Sequence, residues 1–300
     1  MSTQPEISAI VISYNGLKFL PDCLGTLIDD LACITHEVIV VDNGSTDGSV
    51  AYVRGNYPQV ALIENGRNLG FAAAVNIGLR KAKGNYLYVL NQDLRFHRGT
   101  AQSLLERLKR DSSIGLIGPR YNDFEGNLQP SVRAFPTYRH VFYKALFLDR
   151  LFPRHKEFSS WKMGWFDHGS EMFVDQPMGA VMMIPREVVK KIGLMDERFP
   201  LLMNDVDYCR RIAGAGYRLL YYPEAVVEHY VGASTGARPC RSVLISHFAL
   251  YRYLCKYARP REYPLLWLSG LLLMLGLIPR LVSRFIVQLF ASAKVSHKQR

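Results

Sequence analysis

VIVVDNGSTDGS, residues 38–49, carries the reading of the fold. Val38 to Val41 form an unbroken β-branched run, the pattern of a strand buried on both faces of a parallel sheet. Asp42 closes that run. Asn43-Gly44 predicts a tight turn, and Ser45 or Thr46 can cap a helix starting near Asp47. A carboxylate in mid-strand would be buried without a partner. At the strand's end it lies on the carboxyl edge, where open α/β sheets bind their ligands. A second such run, YLYVLNQD at 86–93, ends in Asp93, and a third acidic position, Asp205, lies in FPLLMNDVDYCRR at 199–211.

Outward from this stretch, strands are expected at 7–13, 60–64, 86–90 and 115–119, besides 37–41 itself. Helical patterns fall between them, near 17–31, 47–54, 71–83 and 100–111. This alternation predicts βαβ units in an α/β, doubly wound, mostly parallel, Rossmann-like sheet. Residues 121–174 break the rhythm with a basic, aromatic composition (Arg133, Phe135, Tyr138, Trp161, Trp165) and scattered Pro and Gly. Regular structure returns with a strand at 180–184, helices at 186–192 and 205–215, and strands at 217–222 and 225–230. Gly216 supplies the stop of the second helix.

A chain of 300 residues, 49% hydrophobic, can bury one large core or a domain with an appendage. Lys and Arg number 37 against 26 for Asp and Glu, and the formal charge of +11 suits nucleic acid, an anionic membrane surface or phosphorylated substrates. Zinc-finger spacing, RNP-like motifs and helix-turn-helix signatures are missing from the sequence, so no nucleic-acid partner is expected. The five cysteines are scattered without a CxxC pair, which points to a reducing cytosol. The opening MSTQPEISAI has neither basic flank nor apolar core, so no secretory leader is expected.

Each candidate site residue has a chemical role and a plainer alternative. Asp42 can accept the ring N–H of a uracil or thymine base, or merely cap its turn. Tyr14, in ISYNG at 12–16, should sit beside Asp42, where its ring could stack on a base. Asn68 and Gly70 precede a helix whose small residues Ala72, Ala73 and Ala74 permit close backbone approach. The start of that helix is a natural phosphate site, with tight helix–sheet packing as the alternative. LNQD at 90–93 is an abbreviated Asp-x-Asp pattern with Asn91 in the first acidic place. Asp93 would offer a hard oxygen to Mg²⁺ or Mn²⁺, which clamps a diphosphate and stabilises its departure. Asp205, near a helix N-cap, is a candidate general base, while Asp207 pairs with Arg210 or Arg211. His229, in EHYVGAST at 228–235, ends the last strand and is either a metal ligand or a structural imidazole.

Taken in order, ISYNG, VIVVDNGSTDGS, NLGFAAAVNIGL, LNQD, GAVMMIPREVVKKIGLMDERF, NDVDYCRRIAGAGY and EHYVGAST resemble the family 2 glycosyltransferases of GT-A fold, in particular bacterial rhamnosyltransferase-like members. The resemblance spans residues 7–235. It implies that Asp42 contacts the base, Asp93 the metal and diphosphate, Asp205 the acceptor hydroxyl as catalytic base, and His229 the metal. Two departures stand out: Asn91 replaces the first acid of the metal motif, and Asn204 the Glu that often precedes the base. The resemblance implies a nucleotide-sugar-binding half at 1–120, an acceptor and catalytic half at 121–242, and a helical tail at 243–300.

In that tail, residues 265–279 form an apolar run short of the ~20 residues that span a bilayer. Arg280, Arg284 and Gln288 then recur every four residues beside Leu281, Phe285, Ile286 and Leu289, an amphipathic pattern suited to a membrane surface. A packing helix or homo-oligomer contact is the alternative. The expectation is therefore an inverting, metal-dependent glycosyltransferase, peripheral on the cytosolic membrane face. Its donor would be a nucleotide-diphospho-sugar such as dTDP-rhamnose, its acceptor a saccharide on a polyprenyl lipid, and its role cell-surface polysaccharide synthesis. A nucleotidyltransferase would need a Gly-rich basic phosphate loop, which ISYNGLK at 12–18 does not provide. A non-catalytic nucleotide-sugar-binding membrane scaffold would need no base.

Overall fold

A computed structural model of the chain describes residues 4–230 and 239–298. Residues 231–235 of EHYVGAST, and the side chains of the tail's stripe beyond Arg280, lie outside what is described. In chain order the elements begin β1 (Ile7–Ser13), α1 (Leu20–Leu31), β2 (His36–Asp42), α2 (Ser49–Asn56), β3 (Ala61–Glu64), α3 (Phe71–Lys81), β4 (Tyr86–Asn91) and β5 (Leu94–Phe96). Then come α4 (Thr100–Lys109), β6 (Ile114–Asn122), β7 (Leu128–Gln129), β8 (Val132–Arg133), α5 (Tyr138–Ala145), α6 (Leu148–Leu151), β9 (Met172–Phe173) and β10 (Gln176–Pro177). The chain continues through β11 (Val181–Pro185), α7 (Arg186–Ile192), α8 (Asn204–Gly214), β12 (Arg218–His229), α9 (Pro239–Tyr257) and α10 (Tyr263–Lys298).

These elements form two compact units, one of residues 4–135 and 166–230, the other of 136–165 and 239–298. The division cuts across the boundaries expected at 120 and 242, because 136–165 groups with the last two helices.

The first unit is built on a sheet ordered β3-β2-β1-β4-β11-β6-β12-β5. Strands β3, β2, β1, β4, β6 and β12 run one way, while β11 and β5 oppose them. The mostly parallel sheet is thus observed. Burial of every residue in β1 follows from helices on both faces. Ile7, Ala9 and Val11 pack with α1 and α4, whereas Ile10 and Ile12 pack with α3, α7 and α8. Helix α1 turns Leu20, Cys23, Leu24, Leu27 and Leu31 inward, the i, i+3, i+4 spacing of an amphipathic helix. On α3, a Cβ at Gly78 would come within 2.3 Å of Ile10 Cγ2, so this close helix–strand approach requires glycine. Helix α4 begins after Gly99, which has no side chain to cap it; Asp30 of α1 supplies the cap, accepting the Ala101 N–H at 2.9 Å.

Several element boundaries differ from expectation for local reasons. Helix α1 starts at Leu20, later than residue 17, because the Gly16 and Leu17 amides are tied to Ser49 Oγ and Asp47 Oδ2. Helix α2 starts at Ser49 after Gly48 in the left-handed region, so neither Ser45 nor Thr46 caps it. The two strands expected at 217–222 and 225–230 are one, β12, irregular between Tyr222 and Val226.

The second unit is helical. Helix α10 packs on α9, burying Ser269, Leu273 and Leu277 with Leu250, Tyr253 and Leu254. Gly270 allows the close approach, since a Cβ there would meet the Tyr251 ring at 2.9 Å. Helix α5 packs on α10 as well. Helix α10 continues through Pro279, and Pro260–Arg280 is long and apolar enough to cross a membrane by length and composition alone.

Candidate active site

The carboxyl edge of the sheet gathers the first residues of the site. Register pairs Ser13 with Asp42 and Ile12 with Asn91, so Tyr14, Asp42 and Asn91 emerge side by side where β1 lies between β2 and β4. This is the point at which strand order reverses, the usual binding crevice of an open α/β sheet. Tyr14 is 45% exposed. Its backbone is clamped by the Gln92 amide, which accepts the Tyr14 N–H at 2.9 Å and donates to Tyr14 O at 3.0 Å. Gln92, the middle residue of NQD, is thus a loop fastener.

Asp42 is only 2% exposed. Its Oδ1 accepts the Gly44 and Ser45 N–H groups at 3.0 and 2.8 Å, and its Oδ2 accepts the Ser45 hydroxyl. The carboxylate shapes the turn beside the crevice, the plainer of its two expected roles. Asn68 and Gly70 lie in the loop before α3. Asn68 Oδ1 accepts from Asn43 Nδ2 and from the Gly70 N–H, holding the loop before α3. Gly70 has φ +88° and abuts Pro200, whose Cβ would lie 2.8 Å from an added Cβ. The Phe71 N–H, first of α3, is taken by Pro200 O at 2.5 Å. Both residues thus make the tight packing contacts that were the alternative to a phosphate site.

Asp93 and His229 meet through β5. Its antiparallel pairing with β12 sets His229 opposite Leu94, and the Tyr230 N–H donates to Asp93 O at 3.0 Å. His229 Nε2 then stands 3.7 Å from Asp93 Oδ2, both side chains largely buried. Burial pushes the Asp93 carboxyl up and the His229 imidazole down, while their mutual attraction opposes both shifts. Gln129 of β7 completes the arrangement: its Oε1 lies 2.7 Å from His229 Nδ1. An amide oxygen only accepts, so Nδ1 carries a proton, and Nε2 is the nitrogen turned toward Asp93. Asn91, at the end of β4, opposes the burial-driven rise of the Asp93 carboxyl, and Asn91 Oδ1 is buried without a partner among the described residues. A carboxylate, an oriented imidazole nitrogen and an orphaned amide oxygen fit a divalent cation of the Mn²⁺ or Mg²⁺ type. Among the described residues no third His, Cys, Asp or Glu joins them, so such an ion would take further ligands from a diphosphate and water.

Asp205 is the second residue of α8, which follows Met203 in the left-handed region at φ +67°. Asn204 shapes this start: its Oδ1 accepts the Asp205 N–H at 2.7 Å and its Nδ2 reaches Phe199 O at 3.3 Å. The Asp205 carboxylate accepts from Val206 N–H at 2.9 Å and from Gln176 Nε2 at 2.7 Å, with the Gly179 N–H and the Arg133 charge nearby. Burial raises the carboxyl above the ordinary range; the hydrogen bonds and Arg133 oppose that rise. A Cβ on Gly179 would sit 2.6 Å from Asp205 Cβ, so only glycine admits the side chain here. The next residue, Ala180, accepts the Asn91 N–H at 2.9 Å, and this short backbone links Asp205 to the NQD turn. Asp207 is fully buried and pairs with Arg211 at 3.1 Å, one of its two expected partners.

Gln129, Arg133 and Gln176 are site residues that sequence reasoning missed. Arg133 and Gln176 face each other across the β8–β10 pair, and no periodicity marks strands of two residues. Lys18 is another: exposed, it lies 5.0 Å over the Tyr230 ring, one residue from His229. A separate cleft of about 470 Å³, lined by Glu6, Asn85, Arg186 and Lys190, lies at the opposite strand edge, away from all of these.

Comparison with known proteins converges on one group. The profile described as Glycosyl transferase family 2 matches residues 8–169. An N-acetylglucosaminyl-diphospho-decaprenol L-rhamnosyltransferase of Mycobacterium tuberculosis is 30% identical over 242 residues, 77% of this chain and 78% of its own. A dolichol-phosphate mannosyltransferase of Pyrococcus furiosus is 25% identical over 204 residues, 66% of this chain and 51% of its own. In fold, the chain resembles the mannosyltransferase PcManGT of Pyrobaculum calidifontis, solved with GDP-Man and Mn²⁺, at TM-score 0.59 and 20% identity. That likeness covers 97% of this chain and 76% of that one.

Proposed function

Since the chain belongs to glycosyl transferase family 2, we propose that it moves rhamnose from dTDP-rhamnose to a saccharide acceptor carried on a polyprenyl lipid, with inversion at the anomeric carbon. The sugar and the acceptor rest on the mycobacterial relative, named for L-rhamnose transfer to a lipid-diphosphate-linked sugar. The observation that carries the chemistry is Asp205, a buried carboxylate oriented by Gln176, Gly179 and Val206.

Its desolvation makes it a stronger base than a surface carboxylate, and its fixed hydrogen bonds hold one oxygen geometry for an incoming hydroxyl. Asp205 takes the acceptor hydroxyl proton as that oxygen attacks the anomeric carbon and the C–O bond to the nucleoside diphosphate breaks. A single displacement through an oxocarbenium-like transition state inverts the centre. Tyr14 offers its exposed ring to the base, beside the turn that Asp42 shapes. Lys18 adds positive charge near the Asp93–His229 pair. A divalent cation held by Asp93 and His229 would neutralise charge on the departing diphosphate.

The exposed apolar face of α10 supports a place on the cytosolic membrane surface, where a lipid-linked acceptor is available. Screening a panel of nucleotide sugars, with Mn²⁺ or with EDTA, against polyprenyl-diphospho-GlcNAc tests this reading, with product configuration read by NMR. Transfer from dTDP-rhamnose with inversion is expected. Transfer from other donors only, or retention of configuration, would overturn it.

A further inference from the structure

Among the described residues, most exposed large hydrophobic side chains belong to the helical unit; Leu244 and Phe248 lie on α9, and two further groups stand out. One is the stripe on α10, Trp267, Leu268, Leu271, Met274, Leu275 and Ile278, at helical spacing. The other lies within the internal segment 136–165. Phe142 and Leu146 are four apart at the end of α5, and Phe147 and Leu151 are four apart around α6. Phe147 is 54% exposed and Leu151 67%. Phe147 also adopts φ +58°, a backbone conformation that a bulky L residue rarely takes. A strained turn that presents an aromatic ring to water gains nothing in a purely aqueous setting.

Charge points to the partner. Segment 136–165 carries Arg139, Lys144, Arg150, Arg154, Lys156 and Lys162 against Asp149 and Glu157. Both acids are already engaged, Asp149 with Lys162 at 2.8 Å and Glu157 with Arg139. The remaining excess is cationic, and Arg150, Arg154 and Lys156 are exposed. Arg150 and Lys156 also lie over the Phe147 and Trp165 rings, at 5.5 and 5.6 Å. Aromatic and aliphatic tips ringed by Arg and Lys are the composition of an interfacial lipid contact.

The two groups are joined. Helix α5 packs on α10, and Arg280, two residues past Ile278 on α10, has its guanidinium 2.8 Å from His247 Nε2. Arg150 repels that guanidinium and Asp149 attracts it, which sets the α6 region near Arg280.

We propose that the helical unit grips an anionic bilayer surface with two arms, the α10 stripe and the α5–α6 tip of Phe142, Leu146, Phe147 and Leu151, while Arg150, Arg154 and Lys156 meet lipid phosphates. This deepens the membrane reading of α10 given above and rests on it. The internal arm belongs to the segment between β8 and β9, so the lipid contact is made by the middle of the chain as well as by its tail.

Flotation of the purified full-length protein with phosphatidylglycerol-containing or pure phosphatidylcholine vesicles tests the proposal. Each basic side chain near an anionic surface raises binding about fivefold, so the triple variant Arg150→Gln/Arg154→Gln/Lys156→Gln should bind anionic vesicles about a hundredfold more weakly. Phe147→Ser/Leu151→Ser should weaken binding to both vesicle types. Because a variant can misfold, hydrogen exchange on the unmodified protein provides a second measurement: anionic vesicles should slow exchange of peptides covering 142–152. Unmodified protein that floats while 142–152 stays unprotected and both variants float equally well would overturn the internal arm alone. Failure of the unmodified protein to float would overturn the α10 reading and the proposal with it.

Discussion

Asp205→Asn separates the chemistry of the site from its stability. The substitution keeps the size of the side chain and can keep one acceptor oxygen on the Val206 N–H, while removing the basic carboxylate. Loss of a general base lowers turnover by about 10²-fold or more, equivalent to about 2.7 kcal/mol on the barrier. Stability should move the other way. Burial holds the folded-state pKa of Asp205 above its unfolded value. Its contribution to folding is therefore complete below the unfolded pKa and is lost as pH rises through the folded pKa. At neutral pH the ionised group costs stability, partly offset by Gln176, Gly179 and Arg133, so the variant should melt at a higher temperature. The same shift should set the acidic limb of the wild-type kcat–pH profile above the ordinary carboxylate range. Transfer kinetics, calorimetric donor titration and thermal melts on one preparation read all of this. Near-normal turnover in the variant would refute the base assignment, and unchanged turnover with a lowered melting temperature would make Asp205 a structural residue.

Three further outcomes are expected. Asp42→Ala should weaken dTDP or UDP binding with or without EDTA, because the turn beside Tyr14 loses its acceptor, whereas Asp93→Ala should weaken it chiefly when metal is present; calorimetry distinguishes these, and identical profiles would contradict the two roles. Gln129→Leu frees the His229 tautomer and should lower Mn²⁺ affinity about 10–100-fold, measured by electron paramagnetic resonance without turnover; unchanged affinity would leave Gln129 a hairpin residue. Burial pushes Asp30 up to about 6, so its contribution to stability fades as pH rises through that value. Asp30→Asn, which can still accept the Ala101 N–H, should gain stability over wild type above about pH 6 and lose that advantage below it, as read by urea titration.

What the sequence by itself determined is local in origin. The β-branched run at 38–41 and its polar ending place Asp42 at a strand terminus, and ISYNG, ending the first strand, places Tyr14 beside it. Order of motifs along the chain, with short-range periodicity between them, was enough for the family, the doubly wound sheet and the candidate base. The tertiary structure alone decided who touches whom. His229 reaches Asp93 because the three-residue strand β5 pairs with β12, and Gln129 orients that imidazole from 100 residues away in sequence. Gln176 and Arg133 flank Asp205 through strands too short to carry an alternating pattern. Gly70 serves Pro200 because a distant loop folds over the start of α3. Segment 136–165 joins the C-terminal helices in the same way. Periodicity and turn chemistry depend on neighbours in the chain, whereas these contacts form between segments whose meeting depends on burial across the whole fold.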